Sequence, residues 1–260
     1  MAYSALKLDL SGDIATITLN RPEKRNAISA EMMADVMAVL DEIESGSARV
    51  AILTGEGKAF CAGMDLGTLK ALLHQSPMEN LEDARRTARL FRRIWSFPKP
   101  IIAAVNGAAL AGGCGIATLC DFTVAVPEAT FGYTEVRVGF LPAIVSVFLT
   151  RQIGEKRARD LLLTGRIIDA AEAHRLGLIT YIVPVDSLMP AAQALASTLI
   201  ANSPTSLQTT KRLLCDIALP ELDRQLELAV EESGHIRSTD DFREGLAAFL
   251  EKRSPKWTGH

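Results

Sequence analysis

Pairing cysteines are missing from this chain: Cys61, Cys114, Cys120 and Cys215 are scattered through 260 residues, and none forms a C-x-x-C pair. No cysteine–histidine group has zinc-ligand spacing either, so no metal site is expected. Isolated thiols fit a reducing, cytoplasmic compartment. A basic surplus is also lacking. The net charge is -3, and pairs such as Lys24–Arg25, Arg85–Arg86 and Arg92–Arg93 are spread out, which argues against a nucleic-acid partner. Residues 1–10 alternate polar and apolar side chains instead of forming an apolar block, so no signal peptide is expected. The stretch 101–120 is nearly free of charge and about as long as a membrane span. It is interrupted by Asn106 and glycines 107, 112, 113 and 115, and Pro98 and Pro100 precede it. A buried strand, a tight turn and a buried helix account for it better than a membrane.

Common catalytic signatures are absent too. Gly113-Cys-Gly115 meets Thr118 where a dinucleotide fingerprint needs its third glycine, and no phosphate loop can be placed. Ser146 lacks the G-x-S-x-G setting of a serine hydrolase. His74 and His174 have no spaced partner for metal or nucleophilic chemistry, and Asp121 reads as a structural cap or ion-pair partner.

What is present is an ordinary globular composition, 48% hydrophobic and 23% charged, long enough for a sizeable core. Leu6, Leu8 and Leu10 alternate with polar residues before Ser11-Gly12-Asp13, and Ile14 to Leu19 follows, which predicts a β-hairpin. Asn20-Arg21-Pro22 breaks it. Ser29 is placed to cap a helix over 30–44, with Glu31 in its first turn. Strands are predicted over 50–53, 101–105, 122–126 and 179–183, and a helix over 112–119. The segment 66–96 has a weak helical pattern, broken near residues 75–80 around Pro77. Asp169 and Glu172 resemble a capping box, with Gly177 as the stop. Beyond Ser187 the pattern is helical: Ser203-Pro204 opens one helix, and others are expected over 221–236 and 240–252. The chain thus reads as an α/β core over 1–200 followed by a helical region over 201–260. The apolar row Leu246, Phe249 and Leu250 suits either a subunit interface or packing on the chain's own core.

Three segments carry possible chemistry. In Ala59-Phe60-Cys61-Ala62-Gly63-Met64-Asp65-Leu66, small residues let backbone N–H groups approach a ligand, and Asp65 can cap the next helix. In the second, a strand ends at Asn106-Gly107, and Ala111-Gly112-Gly113-Cys114-Gly115 opens a helix whose first N–H groups and dipole suit an anion or a developing oxyanion. In the third, Glu135 is a lone acid among apolar and aromatic neighbours. Burial would raise its pKa and suit it to proton transfer, whereas a structural ion pair with Arg137 is the plainer alternative.

Together and in this order, these segments resemble the enoyl-CoA hydratase/isomerase (crotonase) family. Asn20-Arg-Pro-Glu-Lys-Arg-Asn26-Ala27, Leu163-Thr-Gly165, 170–178 and the ending Phe249-Leu-Glu-Lys-Arg253 extend the resemblance from about residue 6 to 257. It implies a ClpP/crotonase-like spiral of β-β-α turns with a helical C-terminal oligomerisation region, assembled as a homotrimer or homohexamer. It implies an acyl-CoA substrate and no separate cofactor, since coenzyme A is part of the substrate.

By the same resemblance, the N–H groups of Met64 and Gly112 hold the thioester oxygen, and Glu135 moves the proton. Lys24, Arg25, Ala27, Ala62, Asp65, Leu66 and Gly67 contact CoA, while Leu66, Leu69 and Leu72 wall the acyl pocket. The chain departs from the family's two-acid hydratases at Gly115, where a second glutamate is common. It departs again at 143–146, where Ala-Ile-Val-Ser replaces a glycine cluster. Acids at 115 and 143 would be needed for dienoyl-CoA isomerisation, and neither is present; the retained Glu135 argues against a decarboxylase. Three readings remain: an enoyl-CoA hydratase, a Δ3,Δ2-enoyl-CoA isomerase using one glutamate, and a non-catalytic acyl-CoA binder.

Overall fold

The computed structural model describes residues 3–260; Met1 and Ala2, which begin the stretch read as lacking a signal peptide, lie outside the described residues. The predicted hairpin forms from β1 (Leu6–Ser11) and β2 (Ile14–Leu19), paired antiparallel around Gly12, whose φ of 60° suits a tight turn. Ser29 caps α1 (Ala30–Ser45) by accepting from the N–H of Met32. That helix buries Met32, Val36, Val39, Leu40 and Ile43, the row expected of an amphipathic helix.

From here the chain winds in turns of strand, short strand and helix. β3 (Val50–Gly55) leads to β4 (Ala59–Cys61), then to α2 (Leu66–Leu72) and α3 (Pro77–Trp95). β5 (Ile101–Val105) leads to β6 (Ala108–Leu110) and α4 (Gly112–Leu119). β7 (Phe122–Ala125) leads to β8 (Thr130–Gly132), a 3-10 turn over Glu135–Val138, α5 (Ala143–Ile153) and α6 (Glu155–Thr164). β9 (Ile167–Asp169), α7 (Ala170–Leu176) and β10 (Tyr181–Ile182) complete the winding. The long strands build one sheet in the order β1-β2-β3-β5-β7-β10, and the short ones build a second, β4-β6-β8-β9. β5 is buried at every position, as a parallel strand covered on both faces must be.

The resemblance implies two strands in each turn, but the residue pattern alone places none of the strands of the second sheet. Its strands have three residues each, too few for an alternation to register. The strand expected over 179–183 shrinks to Tyr181–Ile182. Asp169 accepts from the N–H of Glu172, but the Glu172 carboxylate turns to Arg166 at 2.8 Å, so only half of the expected capping box closes. Pro77 opens α3 at its first position, where a missing N–H costs nothing, and Ser76 with Glu79 forms a full capping box.

The helical end consists of α8 (Leu188–Ile200), α9 (Pro204–Ile236) and α10 (Asp240–Glu251). The helix expected over 221–236 is the second half of α9, which continues through Pro220. Its buried row Leu222, Leu226, Ala229 and Val230 belongs to the main core and runs along α3 and α5, which offsets the local cost of the proline. On α10, Leu246 is fully buried with Phe242 against Leu72 of α2, Leu250 is half-buried there, and Phe249 is 52% exposed. The inner row of α10 therefore packs on its own chain. No helix among the described residues is long and apolar enough to cross a membrane.

Candidate active site

The loop after β4 is pinned to residues 20–28. Asn26 is fully buried; its Oδ1 accepts from the N–H of Arg21, and its Nδ2 donates to the carbonyls of Glu56 and Ala59 at 2.9 and 2.8 Å. Ile28 donates to the carbonyl of Gly63, and Asp65 donates to the carbonyl of Ile28, forming a parallel bridge around Met64. In such a bridge the N–H of the central residue points away from its partner. Met64 therefore presents its N–H on the side opposite Ile28, while its side chain packs against the cluster of Leu72, Phe242 and Leu246.

The second loop lies alongside. A Cβ on Gly63 would stand 3.0 Å from Cβ of Ala111, and one on Gly112 would stand 3.2 Å from Cδ1 of Ile28. Ala111 is held at φ 49° and ψ -129°, a conformation unusual for a residue with a side chain, while its N–H donates to the carbonyl of Gly132. This sharp corner makes Gly112 the first residue of α4, so its N–H has no carbonyl of the helix to meet. The Met64 and Gly112 loops are thus brought together, at the positive end of a buried helix.

Glu135 is 9% exposed, and its Oε2 has no hydrogen-bond partner among the described residues. Burial lifts its carboxyl to about pKa 7, against a smaller opposing pull from its own N–H. The alternative, an ion pair with Arg137, is not formed among the described residues; Arg137 is exposed and lies by Gly165. Glu135 adds to the upward push on the thiol of Cys114, which burial already lifts to about 12, so the carboxylate is within electrostatic reach of α4. Beside it, Tyr133 is wholly buried, with its hydroxyl 3.2 Å from Oγ1 of Thr118.

The position expected to bear a second acid is closed. A Cβ on Gly115 would stand 2.5 Å from Cε1 of Phe91 and 2.7 Å from Cγ1 of Val145. The two departures noted in the sequence, at 115 and at 143–146, are one packing arrangement.

The other expected site residues are distributed unevenly. Lys24 and Arg25 are exposed and Ala27 is buried next to them. The N–H groups of Ala62, Asp65 and Gly67 are all engaged within the chain, by the carbonyls of Arg25 and Ile28 and by Oδ1 of Asp65. Those three N–H groups are thus occupied within the chain. Leu66 is 46% exposed, Leu69 is half-buried and Leu72 is buried in the α2–α10 contact. Two residues given no role of their own in the sequence, Arg21 and Asn26, do much of the positioning. Arg21 donates to the carbonyl of Ala27 at 2.7 Å and to Oδ2 of Asp65 at 3.1 Å. Asp121 is structural: it accepts from the N–H of Ile101 and from Lys211. No group of three or more histidine, cysteine, aspartate or glutamate side chains is arranged to hold a metal ion among the described residues.

Residues 9–260 match the family described as Enoyl-CoA hydratase/isomerase. A relative from Thermus thermophilus is 45% identical, over 95% of this chain and 98% of its own. The short-chain-enoyl-CoA hydratase of Clostridium acetobutylicum is 35% identical over 97% of each chain. The crystal structure of an enoyl-CoA hydratase/isomerase from Xanthobacter autotrophicus Py2 superimposes with a TM-score of 0.89 at 32% identity, covering 97% of this chain and 98% of that one.

Proposed function

This chain belongs to the enoyl-CoA hydratase/isomerase family, and on that premise we propose that it adds water across the 2,3 double bond of an enoyl-CoA thioester. The observation that carries this reading is the buried Glu135 carboxyl, whose Oε2 is unpartnered. A carboxyl lifted to about 7 exchanges protons readily near neutral pH. Glu135 takes a proton from water as its oxygen joins Cβ, and returns one to Cα. The thioester oxygen gains charge as the enolate forms, and the N–H groups of Met64 and Gly112 receive it, aided by the α4 dipole. Lys24 and Arg25 supply cations for the phosphates of CoA, next to Ala27. The names of relatives such as the short-chain-enoyl-CoA hydratase support the same substrate class. The exposed row Leu213, Leu214 and Ile217 on α9 supports assembly into a homotrimer or homohexamer, which light scattering would measure.

A second reading is favoured by the closure at Gly115, which leaves Glu135 without a companion acid there. One carboxylate suffices to carry a proton between Cα and Cγ, giving Δ3,Δ2-enoyl-CoA isomerisation. Offering crotonyl-CoA and a 3-enoyl-CoA separately distinguishes the two. A product heavier by one water marks hydration, and conversion of the 3-enoyl ester at unchanged mass marks isomerisation. Glu135→Gln is expected to lower the rate about 100-fold or more, and a loss below about threefold would remove Glu135 from proton transfer.

A further inference from the structure

Gly112 and Gly115 are three residues apart on α4 and share one face of that helix. Phe91 of α3 lies against both: its Cζ would be 3.7 Å from a Cβ on Gly112, and its Cε1 2.5 Å from one on Gly115. Val145, in the first turn of α5, closes the same place with Cγ1 at 2.7 Å. Phe91 is 1% exposed and Val145 5%, so both are held inside the core. The two side chains make an apolar wall against the Gly112–Gly115 face.

Hydration and double-bond migration place different demands on such a wall. Hydration breaks the Cα–Cβ π bond, joins the oxygen of water to Cβ and delivers a proton to Cα; a water molecule must be held in place. Migration removes a proton from Cα of a 3-enoyl ester and returns one to Cγ, with no water consumed. An apolar surface gives water no hydrogen bond. The hydroxyl of Tyr133 is within hydrogen-bond distance of Thr118, and the thiol of Cys114 is buried. Among these groups Oε2 of Glu135 is the one without a hydrogen-bond partner among the described residues, which makes it the open anchor for water.

We propose that Phe91 and Val145 are specificity-determining residues that keep water off the Gly112–Gly115 face of α4 and so set the ratio of double-bond migration to hydration. This rests on the assignment of enoyl-CoA chemistry to Glu135.

The ratio of the two rates, measured on one preparation with both esters, does not depend on the fraction of protein that is folded. Val145→Thr keeps the side-chain shape and adds a hydroxyl, while Phe91→Leu shortens the wall. Val145→Thr is expected to raise hydration relative to migration about fivefold, the effect of one ordinary hydrogen bond; Phe91→Leu opens room but adds no polar group, and raises the ratio less. A ratio within about twofold of the wild type in Val145→Thr overturns the proposal, since even one such bond exceeds that. A wild-type protein that turns over either ester while Val145→Thr leaves the ratio unmoved overturns the wall alone. A wild-type protein that turns over neither ester overturns the Glu135 reading and the wall with it.

Discussion

Arg237, one residue past the end of α9, donates through Nη1 to Oδ2 of Asp83 on α3 at 2.8 Å, and both side chains are almost completely buried, at 1% and 5% exposure. The same Nη1 donates to the carbonyl of Asn80, and the guanidinium lies over the ring of Phe140 at 5.4 Å. Phe140 in turn donates its N–H to the carbonyl of Glu135. One buried cation thus joins the long C-terminal helix, α3 and the turn that carries the proposed acid. Removing Asp83 strands Arg237 without solvent or counter-charge, whereas Asp83 also has Arg86 at 3.1 Å. Asp83→Ala is expected to lower unfolding free energy by about 3–5 kcal/mol, whereas the paired replacement Asp83→Leu with Arg237→Met recovers most of the loss. Urea denaturation of the three proteins measures both statements.

Glu135 also leaves a mark on stability. Its folded pKa, raised by burial to about 7, lies above the ordinary value of 4.5. Between those two values the folded state holds the proton and the unfolded state releases it, so stability falls as pH rises through this window and is level above it. The destabilisation at pH 8 amounts to about 3 kcal/mol at 1.36 kcal/mol per pKa unit. Glu135→Gln removes the titration. The variant is expected to be more stable than the wild type at pH 8 and equal to it by pH 4. In catalysis the same group sets an acid limb in kcat/KM near pH 7 when it acts as base. A flat stability difference across pH 4–8 would show that Glu135 is not desolvated in solution.

The long elements were legible because their patterns are local. Ser29 with its helix, the Leu6–Leu19 hairpin and the Gly112–Leu119 helix follow from neighbours within a few residues. Arg21 was given no role of its own, because that role appears only when Asp65, 44 residues away, folds onto it. Lys24 and Arg25 were more conspicuous in the sequence, yet they are exposed and Arg21 does the positioning. Gly115 could be read as a missing acid but not as a filled space, because Phe91 and Val145 reach it from two other helices. The helix expected over 221–236 stops short of Pro220, and only the packing of Leu222 and Leu226 shows why α9 runs through that proline.

Asp65 links the capping of α2 to the loop bearing Met64. Burial opposes its charge, but the N–H groups of Gly67 and Thr68 and the guanidinium of Arg21 outweigh that and hold its pKa below the ordinary carboxylate value. Its contribution is full above that ordinary value and is lost as pH falls through the lowered one. Asp65→Ala removes the cap and the ion pair together. Thermal or urea unfolding is expected to show a loss of about 1–2 kcal/mol. Because the loop that presents Met64 loosens, kcat/KM for an enoyl-CoA should fall more than the Asp65→Asn variant, which keeps a capping oxygen, would show.

The turn that carries Glu135 is supported from behind by α10. Gly139, at φ 66°, would place a Cβ 2.3 Å from the carbonyl oxygen of Asp241, and Gly245 would place one 2.5 Å from the carbonyl of Val138. Backbone meets backbone at both points, so no side chain can yield to make room. Gly245→Ala must push α10 and the Glu135 turn apart by about an ångström to reach ordinary contact distance. Overpacking of this kind costs about 1–3 kcal/mol. A displacement of about 1 Å in a reacting group lowers turnover by as much as 100-fold. The atoms that a Cβ at 245 would meet belong to Val138 and Gly139, and none to Lys24 or Arg25. The expected signature is therefore a fall in kcat at nearly constant affinity for a CoA ester, read by steady-state kinetics beside a binding titration. Unchanged kcat in a folded Gly245→Ala protein would show that α10 covers the turn without positioning it.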